Sequence, residues 1–211
     1  MTDNTLIFLS KKGDEIEPCK KEALRYMGCR NYAPDENLEK IYEECLSEFK
    51  KVASYKAVYR FTDITQNPDN ITNLGFCSIC NESLYKNMSG CKSAVVFAAT
   101  AGTGVDRLIL RCIKTSPAHA VVADCIASSA IEVWCDEING IINEQYETKP
   151  RFSPGYGGVS LGHQKDVLSF LDAERKIGIT LSDALMMIPA KSVTAFVGIV
   201  ENKQSVQTDE K

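Results

Sequence analysis

At 211 residues, 44% hydrophobic and 25% charged, the chain has the length and composition of one compact globular domain, with two small ones still possible. A formal net charge of -4 argues against a nucleic-acid binder, which normally presents a basic face. No run approaches the roughly 20 apolar residues of a membrane span, and "LIFLS" ahead of Lys11 and Lys12 is too short for a signal-peptide core, so a cytoplasmic protein is expected.

In chain order, "EPCKKEALRYMGCR" predicts a short helix that stops near Gly28, where a missing Cβ permits a left-handed helix end. "APDENLEKIYEECLSEFKKVA" predicts the clearest helix. Pro34 and Asp35 mark its start, and Leu38, Ile41, Cys45, Phe49 and Val52 form one apolar stripe. In "YKAVYRFTDI" the period changes to that of a strand, with Tyr55, Ala57, Tyr59 and Phe61 alternating. After the turn cluster "QNPDN", "ITNLGFCSI" reads as a second strand and "NESLYKNMSG" as a short helix closed by Gly90. "CKSAVVFAAT" has the β-branched and aromatic content of a buried strand, leading through "AGTG" into the helix "VDRLILRCIK".

From Ser116-Pro117 to about Tyr146 a long helix is expected, its first half crowded with Ala and Ser so that a neighbouring backbone could approach closely. The loop "RFSPGYGGVSLG" precedes another helix, "HQKDVLSFLDAE", and "IGITLSDALMMIPAKSVTAFVGIV" reads as strand, turn and strand with Pro189 near the turn. Helices mixed with strands that mostly lack crossover helices favour an α+β fold. The expectation is one domain over residues 1–200 and a flexible polar tail, without an apolar anchor, over 201–211.

Nine cysteines, an odd number set mostly inside apolar segments, favour free thiols in a reducing compartment over a disulfide framework. Cys77 and Cys80 form one CxxC, with Cys91 beyond, but there is no second knuckle, so buried or half-buried thiols are favoured over a metal or redox site. Gly102 and Gly104 make only a G-x-G at a helix start, with Asp124 about 20 residues on; a tight turn is favoured over a phosphate cradle. Glu132 lies in a small, apolar helix, where a carboxylate needs a partner: a chain arginine, solvent, or a ligand cation. The two histidines, His119 and His163, give little material for a catalytic triad, and no catalytic or metal residues are assigned. His119 reads as a surface residue. His163 starts a helix, where it can meet a ligand or cap the chain.

The loop from Arg151 carries the strongest chemistry. Pro154 stiffens it, and Gly155, Gly157 and Gly158 let bare backbone lie close to a bound molecule. Arg151 offers a planar fork for a carboxylate, and Tyr156 a π face for a ring or a cation. A ligand with a carboxylate, a flat base and a positive charge would use them all, as S-adenosylmethionine would.

Arg-x-x-x-Gly-Tyr, present as Arg151, Gly155 and Tyr156 with Pro154 also matching, resembles the S-adenosylmethionine motif of the reactivation (activation) domain of cobalamin-dependent methionine synthase. About 30 residues on, Ser182-Asp183, Met187, Pro189, Ser192 and Val193 in "LSDALMMIPAKSVTAF" resemble a second segment of that family. "LRYMGCR", "VVFAATAGTGVDRLI" and the helix containing Glu132 are similar to its small stand-alone members. The resemblance implies an α+β fold with a curved, mainly antiparallel sheet flanked by helices.

It also implies a role: to hold S-adenosylmethionine over the corrin of a separate cobalamin-dependent methionine synthase while a low-potential donor reduces cob(II)alamin and the methyl group returns to cobalt. This chain would then be an accessory subunit, with cobalamin carried by the partner. Arg151 would grip the methionine carboxylate, and Pro154 to Gly158 with Tyr156 would place the nucleoside end and the sulfonium. Glu132 is expected at the ammonium or ribose, and His163 is a further candidate contact. Multidomain members continue past the final hairpin with a ligand-side tyrosine that has no match here. Three alternatives stand beside this reading: a reactivator of another corrinoid methyltransferase, a non-catalytic S-adenosylmethionine-binding regulator, and a thiol or metal protein built on Cys77, Cys80 and Cys91.

Overall fold

The computed structural model describes residues 5–29 and 34–203. Its organising element is a five-stranded, wholly antiparallel sheet. In chain order its strands are β1 (Ile7–Lys12), β2 (Ser54–Asp63), β6 (Ser93–Thr100), β7 (Tyr146–Thr148) and β10 (Ser192–Asn202), and in space they run β1-β2-β6-β10-β7. A small antiparallel sheet of β3 (Thr65–Asn67), β4 (Ile71–Asn73) and β5 (Ser78–Cys80) and a two-stranded ribbon of β8 (Thr180–Leu181) and β9 (Met187–Ile188) flank it. The helices are α1 (Lys20–Tyr26), α2 (Glu36–Val52), α3 (Glu82–Asn87), α4 (Thr103–Thr115), α5 (Pro117–Gln145), α6 (His163–Phe170) and α7 (Ala173–Ile177). This is the expected α+β class, with the main sheet curled and helix-flanked.

Strand alternation sorts the core into two layers. Tyr55, Ala57 and Tyr59 of β2, Phe97 and Ala99 of β6 and Val197 of β10 face α1, α2, α4 and α5. Val58, Val96, Ala98 and Phe196, one step out of phase, face the small sheet, α3, α6 and α7. Covering both faces explains why β6 reads as a continuous apolar run.

Asp35 caps α2 by accepting the Leu38 N–H at 2.8 Å, as the Pro-Asp signal indicated. The small residues of α5 do admit a close neighbour: Ser129 donates to the Cys19 carbonyl at the start of α1, at 2.9 Å. By length and composition α5 could cross a membrane. Most of its apolar window is buried inside this fold, however, and it serves as the core helix.

Several elements differ from expectation. Residues 71–79 form not one strand but β4, a turn and β5: Asn73 Oδ1 accepts the Gly75 N–H at 2.7 Å, with Gly75 at φ +81°. The helix expected over 163–174 breaks into α6 and α7 at Asp172, which takes a left-handed φ of +49°. Strands β1, β3 and β7 were not anticipated. β10 runs on to Asn202, pairing Glu201 with Glu147, so the first residues of the expected tail belong to the sheet; residues 204–211 lie outside the described residues.

Candidate functional site

After β7 the chain continues along the edge of β10. Lys149 N–H donates to the Gly198 carbonyl at 2.8 Å, and Phe152 and Phe196 exchange both backbone hydrogen bonds. This extended stretch alternates sides. Phe152 is buried in the layer with α6, while Arg151 points to α5. There its guanidinium spans two carboxylates one helical turn apart, Glu132 and Asp136, donating to Asp136 at 2.5 Å and to Glu132 in a second short bond.

The Arg151 side chain is 23% exposed and Asp136 is 70% exposed, so the outer bond is the solvent-screened one. Burial by itself would lower the Arg151 pKa. Asp136, Cys135 and Glu132 outweigh it and hold the group above the ordinary arginine value, a permanent cation. One guanidinium against two carboxylates leaves this end of the site net negative.

The loop beyond is a compact pair of turns, closed by Gly155 N–H to the Val159 carbonyl at 2.8 Å and Tyr156 N–H to the Ser153 carbonyl at 3.1 Å. Pro154 is buried within it. Gly155, Gly157 and Gly158 all take positive φ. At Gly157, φ +56°, a Cβ would also stand 2.9 Å from Phe152 and 3.0 Å from Ser83, so bare backbone is needed there for packing against α3. The same helix tethers the loop twice. Asn87 donates to the Pro150 carbonyl at 3.2 Å, and Asn81, which caps α3 through its Oδ1, donates through Nδ2 to the Gly157 carbonyl at 3.0 Å. On this fixed base Tyr156 projects its ring into solvent, 70% exposed and edge-on to Phe152 at 5.6 Å. A large exposed aromatic held from below is a ready contact for a flat or cationic ligand.

Beside Glu132 opens a cleft of about 480 Å³, lined by Asp124, Ser128 and Glu132 on α5 and by Lys191, Ser192 and Val193 where β10 begins. Lys191 is held within it, 2.8 Å from Asp124 Oδ1 and donating to Ser128 Oγ at 2.9 Å. Glu132 of α5 is therefore met by Arg151 at the start of the first sequence segment and shares its cleft with the end of the second, Lys191 to Val193. Of the expected residues, Arg151 and Glu132 are in contact, and Arg151 adjoins the loop that carries Pro154 to Gly158. His163 is engaged elsewhere: its Nδ1 lies 3.3 Å from Asp166 Oδ2, next to Cys77.

The sequence reading passed over Asp136 and Lys191. Asp136 stands four residues after Glu132, a spacing that places both on one helix face and could have found it. Lys191 carried no local signal.

The G-x-G turn is a packing feature. A Cβ on Gly104 would come 2.3 Å from the Val52 carbonyl oxygen, and one on Gly102 would come 2.9 Å from that of Ser54, so α4 starts hard against the α2–β2 junction. Gly104→Ala should therefore destabilise the protein by about 1–3 kcal/mol as α4 shifts. A melting temperature lowered by less than about 2 °C would show that the junction yields freely.

All nine cysteines are free thiols, as expected. The trio Cys77, Cys80 and Cys91 is not a cluster. Cys80 points to the Asp69 carbonyl, and Cys91 lies buried where a Cβ on Gly198 would meet its sulfur. The Cys77 thiol is pushed up to about 12, first by burial and then by Asp166.

A curled antiparallel sheet, backed by a long helix whose Glu132 and Asp136 hold the forked Arg151 at the foot of a glycine–tyrosine loop, defines a module of the α+β class. The family model for the vitamin B12 dependent methionine synthase activation domain matches residues 84–207, and the chain belongs to that family. Among solved structures, the MetH reactivation domain bound to AdoHcy shares the fold, with a TM-score of 0.69 over 92% of this chain and 78% of that one at 14% identity. No curated protein matches the chain.

Proposed function

We propose that this chain binds S-adenosylmethionine at the Arg151–Glu132 site and supports reductive remethylation of cob(II)alamin on a separate, cytoplasmic cobalamin-dependent methionine synthase, with a low-potential donor supplying the electron. The observation that carries the reading is the Arg151 fork between Glu132 and Asp136, at the foot of the Gly155–Tyr156 loop. Family membership supports it, as does the AdoHcy bound by the reactivation domain that shares the fold.

The residues present fit the ligand's chemistry. The amino-acid end is a zwitterion, and the site offers a guanidinium for its carboxylate and Glu132 for its ammonium. Asp136, the more exposed partner, is the one that a ligand carboxylate would replace. Tyr156 and the bare backbone at Gly155, Gly157 and Gly158 would seat the nucleoside and the sulfonium. S-adenosylmethionine supplies an activated methyl group, and the partner's reduced cobalamin a strong nucleophile. The work left to this chain is to bind and orient, with no proton to move.

The net negative charge around Arg151 makes a further demand: the cationic ligand should bind more tightly than AdoHcy, which lacks the sulfonium charge, and added salt should narrow the gap. Calorimetric titration of the chain with both ligands tests this. Glu132→Gln should weaken S-adenosylmethionine by about tenfold, roughly 1.4 kcal/mol. Where the free chain is silent, the titration is repeated with the cob(II)alamin-loaded synthase present, and silence there too refutes the reading.

A further inference from the structure

We propose that Cys77, His163 and Asp166 form a binding site for a zinc-class divalent cation, separate from the Arg151 site. Their sulfur, nitrogen and oxygen donors all lie within 4.8 Å of one another. They come from two stretches far apart in the chain, the β4–β5 turn and the first turn of α6, and both stretches are held in place. Leu74 N–H donates to the Cys77 carbonyl at 2.9 Å, which fixes the turn. The neighbouring Phe76 stacks on Phe170 at the other end of α6, with centroids 4.2 Å apart and planes 11° from parallel. His163 and Asp166 are three residues apart on one helix face, and their donor atoms are already 3.3 Å apart.

A tetrahedral ion with bonds of about 2.0–2.3 Å sets its donors roughly 3.5 Å apart. The site therefore reaches ligand spacing if its widest pair closes by about 1 Å, within the reach of side-chain rotation. Thiolate, imidazole and carboxylate together suit zinc rather than the hard cations calcium or magnesium, which take oxygen alone. As the sulfur–metal bond forms, the Cys77 thiol gives its proton to solvent, and a fourth position stays open to water or an added donor. Cys80, turned to the Asp69 carbonyl, does not supply it. An ion here would tie the start of α6, which follows the Arg151–Gly158 loop, to the small sheet that leads into α3, the helix on which that loop rests.

The test uses the full, reduced chain and Co²⁺ as the probe, read by the thiolate-to-cobalt absorption band. Wild type and a Cys80→Ser control should both saturate near one equivalent, with Zn²⁺ displacing the colour. Cys77→Ser should lose the band, and His163→Ala, whose half-exposed ring is not part of the core, should bind more weakly by on the order of tenfold or more. Far-ultraviolet circular dichroism checks that each variant is folded, and the His163→Ala result decides if Cys77→Ser is not. A band that survives both substitutions, or no saturable band in the wild type, overturns the site.

Discussion

Arg151→Ala should weaken S-adenosylmethionine binding by roughly 30- to 140-fold, the counterpart of about 2–3 kcal/mol for removing one member of a hydrogen-bonded charge pair. The physical reason is that, among the described residues, the other charged side chains of the site cannot take the ligand's carboxylate: Glu132 and Asp136 would repel it, and Lys191 is held by Asp124 and Ser128. Arg151→Lys should recover only part of the loss, because an ammonium restores charge without the planar fork that now reaches two carboxylates.

The fold should be nearly untouched. Glu132 and Asp136 lose a shared counterion, and like charges one helical turn apart cost about 0.2–0.5 kcal/mol, or about 1–2 °C in melting temperature. Calorimetry and a melt on the same preparations separate these effects. If Arg151→Ala binds as wild type does, the guanidinium is a structural clamp on α5 and the proposed ligand geometry is wrong.

Trp134→Ala should be the most destabilising single change, at about 3–5 kcal/mol. The chain's single tryptophan is fully buried on α5. Its ring lies 6.1 Å from Tyr55, and its Nε1–H donates to the Lys56 carbonyl of β2 at 3.3 Å. Alanine would leave a cavity between the core helix and the sheet it backs, and would remove the Trp134 hydrogen bond to β2. Against a total stability of about 5–15 kcal/mol, that loss should lower the melting temperature by roughly 6–20 °C. Denaturant unfolding followed by far-ultraviolet circular dichroism measures it without relying on the removed fluorophore. Trp134→Phe, which keeps most of the ring but not the donor, should fall between. A loss under about 1 kcal/mol for the alanine variant would mean that α5 can close the gap. Because α5 also carries Glu132 and Asp136, a shift large enough to close it should weaken ligand binding as well.

Much of this protein was legible in its residues. The stripe of Leu38, Ile41, Cys45, Phe49 and Val52 specifies α2, and the unbroken apolar run of β6 announces a strand covered on both faces. Arg151, Pro154, the three glycines and Tyr156 identify the loop, because few other tasks need a fixed cation, an exposed ring and bare backbone within eight residues. Local chemistry shows in local sequence, since periodicity and turn residues act over a few positions.

What only the tertiary structure decided is which of these pieces meet. Strand β1 is a half-exposed edge whose place is set by pairing with β2, and β7 is three residues long and defined by β10. Asp172 adopts a left-handed conformation with no glycine to signal it, so the division of α6 from α7 follows from packing. Glu132 could face solvent, a ligand or an arginine as far as its own neighbours show. It meets Arg151 because the chain runs along the edge of β10 and alternation turns that side chain toward α5. His163 and Asp166 likewise meet Cys77 only when the helix after the loop packs on the small sheet. Contacts between residues distant in sequence are chosen by the burial of whole faces, and no local pattern along the chain encodes that choice.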